Sequence, residues 1–279
     1  MQENRQDMQK EADKRLLENR HIFITGGASG IGLACAELFL EYGAKVAIMD
    51  ICSDEKLAEI KEKLGEGCCT VRGDVTDSAQ VAACIAKAAE EMGSLDGVVN
   101  SAGATENAYI YDLTDESFDR IIKLLLYGTM YTIREASRYM MKHGIEGSMV
   151  NLSSMNSIIP YRTIGPYSCG KAGVNMLTKI TSLDLAPYHI RVNAVCPGFV
   201  ETPLTDDVNT PEINKVIMTH LPVKRWCKPV EQAEVIAFLL SEKASYITGT
   251  LLMTDGGVSN MAYPDILRVI DGETYYAEM

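Results

Sequence analysis

Residues 25–32 read TGGASGIG, and this glycine-rich segment decides the fold. It follows the apolar run HIFIT at 21–25 and precedes the stretch LACAELFLEYG at 33–43, whose apolar residues recur at helical spacing. A glycine-rich turn that leaves a strand and opens a helix is typical of nucleotide-binding α/β proteins. Glycine also serves in ordinary turns, but this position between a strand and a helix favours the binding role.

The turn predicts a site for a diphosphate group. Gly26, Gly30 and Gly32 lack side chains, so the backbone there can approach a ligand closely. The helix that follows offers unpaired N–H groups and the positive end of its dipole. We expect Ser29 and Ile31, which lie between these glycines, to contact the same ligand.

Strand-like and helix-like patterns alternate from residue 21 onwards. Continuous apolar strands that alternate with helices predict a parallel sheet with helices on both faces. We therefore expect one α/β domain of the Rossmann type over 21–258, with a doubly wound sheet of about seven strands, an extension at 1–20 and a tail at 259–279. The expected strands are at 21–25, 45–50, 68–75, 95–103, 147–154, 190–198 and 249–257, and the expected helices at 33–43, 53–65, 78–93, 116–144, 167–188 and 230–240.

Composition and charge disfavour several classes of function. The formal net charge of −12 argues against nucleic-acid binding. No apolar run approaches the ~18 residues that span a membrane, and residues 1–20 are charged throughout, unlike a signal peptide. The eight cysteines form no C-x-x-C pair and have no histidine at metal-ligand spacing. We expect no metal, no disulfides and a cytoplasmic location.

An acidic residue ends the second expected strand. Asp50 lies about 20 residues beyond the glycine turn, where a carboxylate accepts hydrogen bonds from the adenosine ribose of a dinucleotide and repels a 2′-phosphate. No arginine or lysine follows immediately to neutralise such a phosphate. Asp50, with the adjacent Ile51, predicts NAD rather than NADP as the cofactor. A turn or helix-cap role is the alternative for this aspartate.

The ordered set of motifs resembles the short-chain dehydrogenase/reductase family. The glycine turn has the spacing T-G-x-x-x-G-x-G, Ser153-Ser154 follow the fifth strand, and Tyr167 and Lys171 form Y-x-x-x-K. The resemblance covers about residues 21–258 and implies hydride transfer between NAD and a secondary alcohol or ketone. The remaining motifs are Asp74-Val75, Asn100-Ser101-Ala102-Gly103, Pro197-Gly198-Phe199-Val200-Glu201-Thr202 and Asp255-Gly256-Gly257. Further cofactor contacts are implied for Asp74, Val75, Asn100, Ala102, Gly103, Tyr167, Lys171, Pro197, Gly198, Val200 and Thr202.

The residue types at three of these positions suit acid–base catalysis. Tyr167 and Lys171 are four residues apart on an expected helix and so share a face. A nearby ammonium favours the phenolate and is expected to lower the pKa of the tyrosine from its usual ~10. Tyr167 can then exchange a proton with the substrate oxygen, and Ser154 can orient that oxygen by a hydrogen bond. The resemblance also implies that Lys171 binds the nicotinamide ribose.

One position departs from the family pattern. Gly128-Thr129 align with a family motif that carries an asparagine three residues before its glycine, and Leu125 stands at that place. In the family this asparagine distorts the helix and holds a water connected to the lysine. A leucine side chain cannot hold water. We expect an active enzyme in which either a backbone carbonyl holds the water or the proton takes another path.

The segments expected to form the substrate pocket are rich in apolar and aromatic residues. They are 105–111, 155–161 and a polar insertion from 199 to about 226. This mixture suits a bulky apolar carbonyl compound better than a phosphorylated sugar or a carboxylate, although simple loop packing is the alternative. Substrate contacts are expected from Ser154, Asn156, Tyr161, Tyr167 and Leu204.

Residues 127–135, YGTMYTIRE, resemble bacterial hydroxysteroid dehydrogenases. The charged extension is similar to that of a 20β-hydroxysteroid dehydrogenase acting on cortisol-type steroids, which implies a steroid substrate. A sugar or polyol dehydrogenase, an oxoacyl reductase and a regulator that senses NAD(H) without turnover are the alternatives. The family commonly forms tetramers or dimers, so we expect a homo-oligomer. For the tail at 259–279 two arrangements are expected as alternatives: packing on its own domain, or crossing a subunit boundary to cover a neighbour's pocket.

Overall fold

The computed structural model describes residues 15–261. Seven parallel strands form one sheet in the order β3-β2-β1-β4-β5-β6-β7. The strands are β1 His21–Thr25, β2 Lys45–Asp50, β3 Cys68–Arg72, β4 Gly97–Asn100, β5 Ser148–Leu152, β6 Arg191–Pro197 and β7 Leu251–Thr254. The helices are α1 Gly30–Glu41, α2 Asp54–Leu64, α3 Ser78–Met92, α4 Asp115–Ile122, α5 Gly128–His143, α6 Gly165–Leu185, α7 Pro211–His220 and α8 Pro229–Leu240. This confirms the expected fold class.

The sheet is covered by helices on both faces. Successive strand residues point to opposite faces, so Ile22 and Ile24 join the core that includes side chains of α1, α2 and α8. Phe23 joins the opposite core, with side chains of α3 and α5. Strands buried on both faces have no solvent-facing positions, which explains why they are continuous apolar runs in the sequence.

The strand order reverses beside β1. β1 pairs with β2 on one side and with β4 on the other, and both pairings are parallel. The loops that follow β1 and β4 therefore leave the sheet in opposite directions and open a crevice at its carboxyl edge, where ligands bind in folds of this type. The glycine turn at 25–32 and the segment at 100–103 border this crevice.

The stretch at 116–144 is not one regular helix as expected. A π-helical turn, Lys123–Tyr127, separates α4 from α5. In a π-turn the backbone bonds run from residue i to i+5, and the N–H of Gly128 donates to the carbonyl of Lys123. The distortion lies at Leu125, the position where the family pattern has asparagine.

The insertion at 199–226 contains a helix that the sequence analysis missed. The Thr210 hydroxyl accepts a hydrogen bond from the N–H of Ile213, and Pro211 occupies the first helical position of α7. Threonine followed by proline is a helix-start signal. Ile217 packs with Leu221 and anchors this helix to the domain.

The expected extensions lie largely outside the described residues. Leu17 is fully buried among side chains of α1, and its N–H donates to the carbonyl of Tyr42 at 3.1 Å. It is therefore part of the domain core, and residues 15–19 form a turn rather than a helix. In the sequence, Met8, Ala12, Leu16 and Leu17 recur at roughly helical spacing and allow a short amphipathic helix; positions 8 and 12, and the tail beyond Met261, fall outside the described part.

Among residues 15–261, no helix combines the length and the apolar character needed to cross a membrane. All eight cysteines lie within this range and are free thiols.

Candidate active site

The glycine turn is packed tightly against its neighbours. Gly26 has a φ of +65°, and a Cβ added there would lie 2.6 Å from the Cα of Ala102. A Cβ on Gly32 would collide with the carbonyl oxygen of Gly26. These two glycines let the turn fold on itself and against the segment after β4. Gly30, with a φ of +54°, faces the methyl group of Thr202.

The N-terminus of α1 is suited to an anion. Ser29 precedes the helix, and its side chain makes no capping hydrogen bond. The first turn, which includes Ile31, holds no acidic side chain among the described residues. A helix of 12 residues therefore presents N–H groups and a positive dipole end beside a turn without bulky side chains. These features fit the diphosphate of a dinucleotide.

Asp50 ties the end of β2 to the glycine turn. Its Oδ2 accepts a hydrogen bond from the N–H of Ala28 at 3.1 Å, and its Oδ1 accepts one from the N–H of Cys52 at 3.1 Å. Asp50 therefore does have a structural role in the turn, which was the alternative to ribose binding. Each carboxylate oxygen keeps a second acceptor site, so ribose hydroxyls can still bind. Ile51 beside it is 64% exposed and could pack on an adenine ring.

The residues after β3 and β4 are held in different ways. Asp74 accepts a hydrogen bond from the N–H of Thr76 at 2.8 Å, and Val75 is buried. Asn100 is also buried, and its Nδ2 donates to Oδ1 of Asn151 at 2.8 Å. The Asn100 side chain is therefore engaged inside the sheet. The backbone of 100–103 is the part that borders the crevice.

The loop after β6 joins the two sides of the crevice. A Cβ on Gly198, next to Pro197, would lie 2.8 Å from the Cα of Asp255, so this glycine allows the loop to pack on the segment after β7. Val200 is buried and forms a bridge with Cys227. Thr202, at the end of this motif, lies against the glycine turn.

Ser154, Tyr167 and Lys171 meet at the carboxyl end of β5. Ser154 is 6% exposed, and its Oγ accepts a hydrogen bond from the N–H of Asn156 at 3.1 Å. The Lys171 Nζ donates to the carbonyl oxygen of Leu152 at 2.6 Å and lies 5.6 Å from the centre of the Tyr167 ring. The expected trio is thus brought together.

Burial dominates the electrostatics of the trio. It raises the pKa of Tyr167, while a hydrogen bond with the Ser154 side chain lowers that pKa by less. Burial also lowers the pKa of the Lys171 ammonium to about 8. The sequence analysis expected the ammonium to lower the tyrosine pKa. In the structure the net shift of the Tyr167 pKa is upward instead, because desolvation of the phenolate outweighs the hydrogen bond with Ser154.

Leu125 fills the space beside the lysine. It is 1% exposed, and its side chain lies against Gly170 on one side and Gly103 on the other. Its carbonyl oxygen accepts a hydrogen bond from Oγ1 of Thr129 at 2.7 Å. The helix distortion attributed to the family asparagine is therefore present with a leucine.

The expected substrate walls divide into exposed and packed residues. Tyr161 and Leu204 are 67% and 46% exposed, and Asn156 is partly buried next to Ser154. The rings of Tyr109 and Tyr111 stack with centres 5.3 Å apart.

Trp226 is not a wall residue. It is buried against Phe199, and its Nε1 donates to Oδ1 of Asn214 at 2.6 Å. Trp226 therefore packs inside this loop region. In the described part of the chain, no three histidine, cysteine, aspartate or glutamate side chains form a cluster that could hold a metal ion.

Comparison with known proteins relates the chain to reductases and dehydrogenases. Residues 26–259 match a family model described as enoyl-(acyl carrier protein) reductase. The chain is 39% identical over 236 residues to cis-4-hydroxycyclohexanecarboxylate dehydrogenase of Sinomonas cyclohexanicum, covering 84% of this chain and 94% of that one. It is 37% identical to a 3-oxoacyl-(acyl-carrier-protein) reductase of Thermotoga maritima, covering 87% and 98%.

A solved structure of a reductase has the same fold. The crystal structure of a 3-ketoacyl-(acyl-carrier-protein) reductase from Brucella melitensis, complexed with NADH, superposes with a TM-score of 0.80 at 31% identity, covering 87% of this chain and 99% of that one. With the seven-stranded parallel sheet, these matches establish that the chain belongs to the short-chain dehydrogenase/reductase family of oxidoreductases.

Proposed function

We propose that this enzyme interconverts a secondary alcohol and a ketone with NAD(H) as the hydride carrier. The observation that carries the proposal is the convergence of Ser154, Tyr167 and Lys171 at the carboxyl edge of the sheet, where the glycine turn also lies. A hydrogen-bond donor, a proton donor and a buried cation at one site are the groups that carbonyl reduction requires.

The nicotinamide, when bound, supplies or accepts the hydride. Tyr167 donates its phenolic proton to the substrate oxygen during reduction and takes a proton from the hydroxyl during oxidation. Ser154 holds that oxygen: its Oγ accepts from the N–H of Asn156, and the long hydrogen bond that its hydroxyl donates to Oδ1 of Asn156, at 3.4 Å, is one that the substrate oxygen can replace. Lys171 has a pKa of about 8, so it is largely protonated at neutral pH and stabilises the phenolate while it exists.

The preference for NAD rests on Asp50. The two backbone hydrogen bonds fix the carboxylate where it would meet the adenosine ribose, and a fixed negative charge there repels a 2′-phosphate. The related reductase from Brucella melitensis was crystallised with NADH. The residues of the turn, with Asp74, Ala102, Gly103, Pro197 and Thr202, complete the proposed cofactor site.

We expect Asp50→Asn to relax the choice of cofactor. The amide removes the repelling charge, so the ratio of kcat/KM for NADPH to that for NADH rises about tenfold or more, or about 1.4 kcal/mol. Steady-state rates with both cofactors measure this ratio. Asp184→Asn, an exposed charge removal near the far end of α6, is the control and leaves the ratio unchanged. A wild-type enzyme that already prefers NADPH would refute the assignment.

The substrate proposed is a bulky, apolar, cyclic carbonyl compound. The exposed aromatic and aliphatic side chains Tyr109, Tyr111, Tyr161 and Leu204 support it, as does the name of the Sinomonas relative, which acts on a cyclohexane ring. A cortisol-type steroid ketone, whose reduction gives a 20β-alcohol, belongs to this class. An oxoacyl thioester is the second candidate, favoured by the two reductase relatives.

A panel of ketones separates these candidates. We expect NADH oxidation with alicyclic or steroid ketones to have a kcat/KM at least about tenfold above that with sugars, because a mainly aromatic and aliphatic wall offers few partners for the many hydroxyls of a sugar. The highest rate with an oxoacyl thioester would select the second candidate. NADH binding without turnover of any ketone would overturn the proposed function, in favour of a sensor.

We also propose a homo-oligomer, dimer or tetramer, in the cytoplasm. Met176, Ile180 and Leu183 lie on one face of α6 at helical spacing and are 57%, 50% and 76% exposed. An apolar face of this size favours burial against a second copy. The eight free thiols are compatible with a reducing compartment.

A further inference from the structure

A chain of hydrogen bonds that begins on α6 holds the backbone carbonyl of Ser154. Asn175 lies one helical turn after Lys171 and is 7% exposed. Its Nδ2 donates to Oγ of Ser157 at 2.7 Å. The Ser157 hydroxyl in turn donates to the carbonyl oxygen of Ser154 at 2.5 Å. Two residues, Asn175 and Ser157, thus link the helix that carries the tyrosine and lysine to the residue that holds the substrate oxygen.

The direction of each bond in this chain is determined. The Ser157 hydroxyl has one proton, which goes to the Ser154 carbonyl, so its oxygen must accept from Asn175. The other side of the Asn175 amide, Oδ1, faces the thiol of the fully buried Cys196 at 3.8 Å, and that thiol is the donor. Both ends of the amide therefore have a partner of the correct kind.

The chain also fixes the short turn after β5. The Ser154 carbonyl accepts a second hydrogen bond, from the N–H of Ser157 at 3.0 Å, so both of its acceptor sites are used. The N–H of Asn156 donates to Oγ of Ser154. With its carbonyl and its Oγ both bound, Ser154 has little freedom to rotate, and its hydroxyl proton, which makes a long hydrogen bond to Oδ1 of Asn156 at 3.4 Å, is the part that turns to the substrate oxygen.

We propose that Asn175 and Ser157 are positioning residues that set the orientation of the Ser154 hydroxyl toward the substrate oxygen. They do not reach the substrate, and they act only through Ser154. The inference rests on the proposed ketone–alcohol reaction. Catalytic groups displaced by about 1 Å lose rate by up to about 100-fold, so the effect of losing this chain is measurable.

The test compares Asn175→Leu, which keeps the branching of the side chain at Cγ but removes its donor and acceptor, with Ser157→Ala and Ser157→Thr. We expect the first two to lower kcat by about 10- to 100-fold, with the Kd for NADH within about twofold of wild type. Ser157→Thr keeps the hydroxyl and restores most of the rate. The double variant Asn175→Leu/Ser157→Ala is no slower than the slower single variant, because both changes break one chain.

The pH profile gives a readout that a purely structural role would not move. A hydrogen bond with Ser154 lowers the pKa of Tyr167, so a displaced Ser154 shifts the midpoint of alcohol oxidation to higher pH. Thr181→Val is the control, since its half-buried hydroxyl donates to the carbonyl of Leu177 on the same helix. It keeps kcat within about twofold and the midpoint unchanged.

Two results would overturn the inference. One is a folded Asn175→Leu enzyme with wild-type kcat and pH profile, and the other is fully additive effects in the double variant. If Asn175→Leu does not fold, Ser157→Ala alone decides by the same criteria. These results differ from the one expected if the proposed function were wrong, because the wild-type enzyme itself would then reduce no ketone.

Discussion

Tyr167→Phe is expected to lower kcat by about 1000-fold in both directions and to leave the Kd for NADH within about twofold. General acid–base catalysis contributes about 100- to 10,000-fold in typical enzymes, and the phenol is the group placed to exchange the proton. The phenyl ring keeps the packing on α6 but has no proton to give. Rates of NADH oxidation and cofactor titration of the same samples measure the two quantities.

The control for this change is Tyr188→Phe. Tyr188 is 52% exposed just after α6, and its change to phenylalanine should leave kcat within about twofold. Because burial raises the pKa of Tyr167, the wild-type tyrosine is a phenol at neutral pH. Reduction therefore proceeds at neutral pH, whereas oxidation, which needs the phenolate, becomes faster as the pH rises. Undiminished turnover by Tyr167→Phe would exclude the tyrosine as the acid–base group.

Most of the fold is visible in the sequence because its strands are buried on both faces. Runs such as HIFIT at 21–25 and KVAIMD at 45–50 are buried except at their ends, and both were predicted with their observed bounds. Helix α7 was missed because its weakly patterned sequence lies in a polar insertion, although Thr210-Pro211 mark its start. The π-turn has no comparable signal, since Leu125 is ordinary in any helix.

The site was predictable where spacing carries the chemistry. Tyr167 and Lys171 share a helix face, so four residues of sequence are enough to pair them. The direction of the tyrosine pKa was not predictable, because it depends on how deeply the ring is buried after folding. Asn175 and Ser157 were also missed. They are 18 residues apart in the chain, and only the packing of α6 against the turn after β5 joins them.

Lys171→Met is expected to abolish activity without weakening the fold at neutral pH. The variant removes the only positive charge that is 5% exposed or less among the described residues, and with it the group that stabilises the phenolate. We expect kcat to fall by about 1000-fold, comparable to Tyr167→Phe, since both remove the same proton transfer. Lys179→Met, an exposed lysine on the same helix, is the matched control and should retain full activity.

The difference in stability between the wild type and this variant depends on pH in a way that tests the burial of the ammonium. The pKa of Lys171 is about 8 in the folded protein and 10.5 when exposed, so folding disfavours the protonated form. The difference of about 2.5 units corresponds to about 3 kcal/mol below pH 8. The unfolded chain binds more protons between these two pKa values, so the wild-type protein gains stability as the pH rises through this window.

Lys171→Met has no amine at this position and does not gain that stability. Its hydrogen bond to the Leu152 carbonyl is lost, at a cost of about 1–3 kcal/mol, which offsets most of the relief from the buried charge at pH 7. The two proteins should therefore unfold at similar denaturant concentrations at pH 7. At pH 10 the wild type should be more stable than the variant by about 2 kcal/mol. A difference that is constant with pH would mean that the lysine is not desolvated in the folded protein, and the buried cation assigned to this site would be wrong.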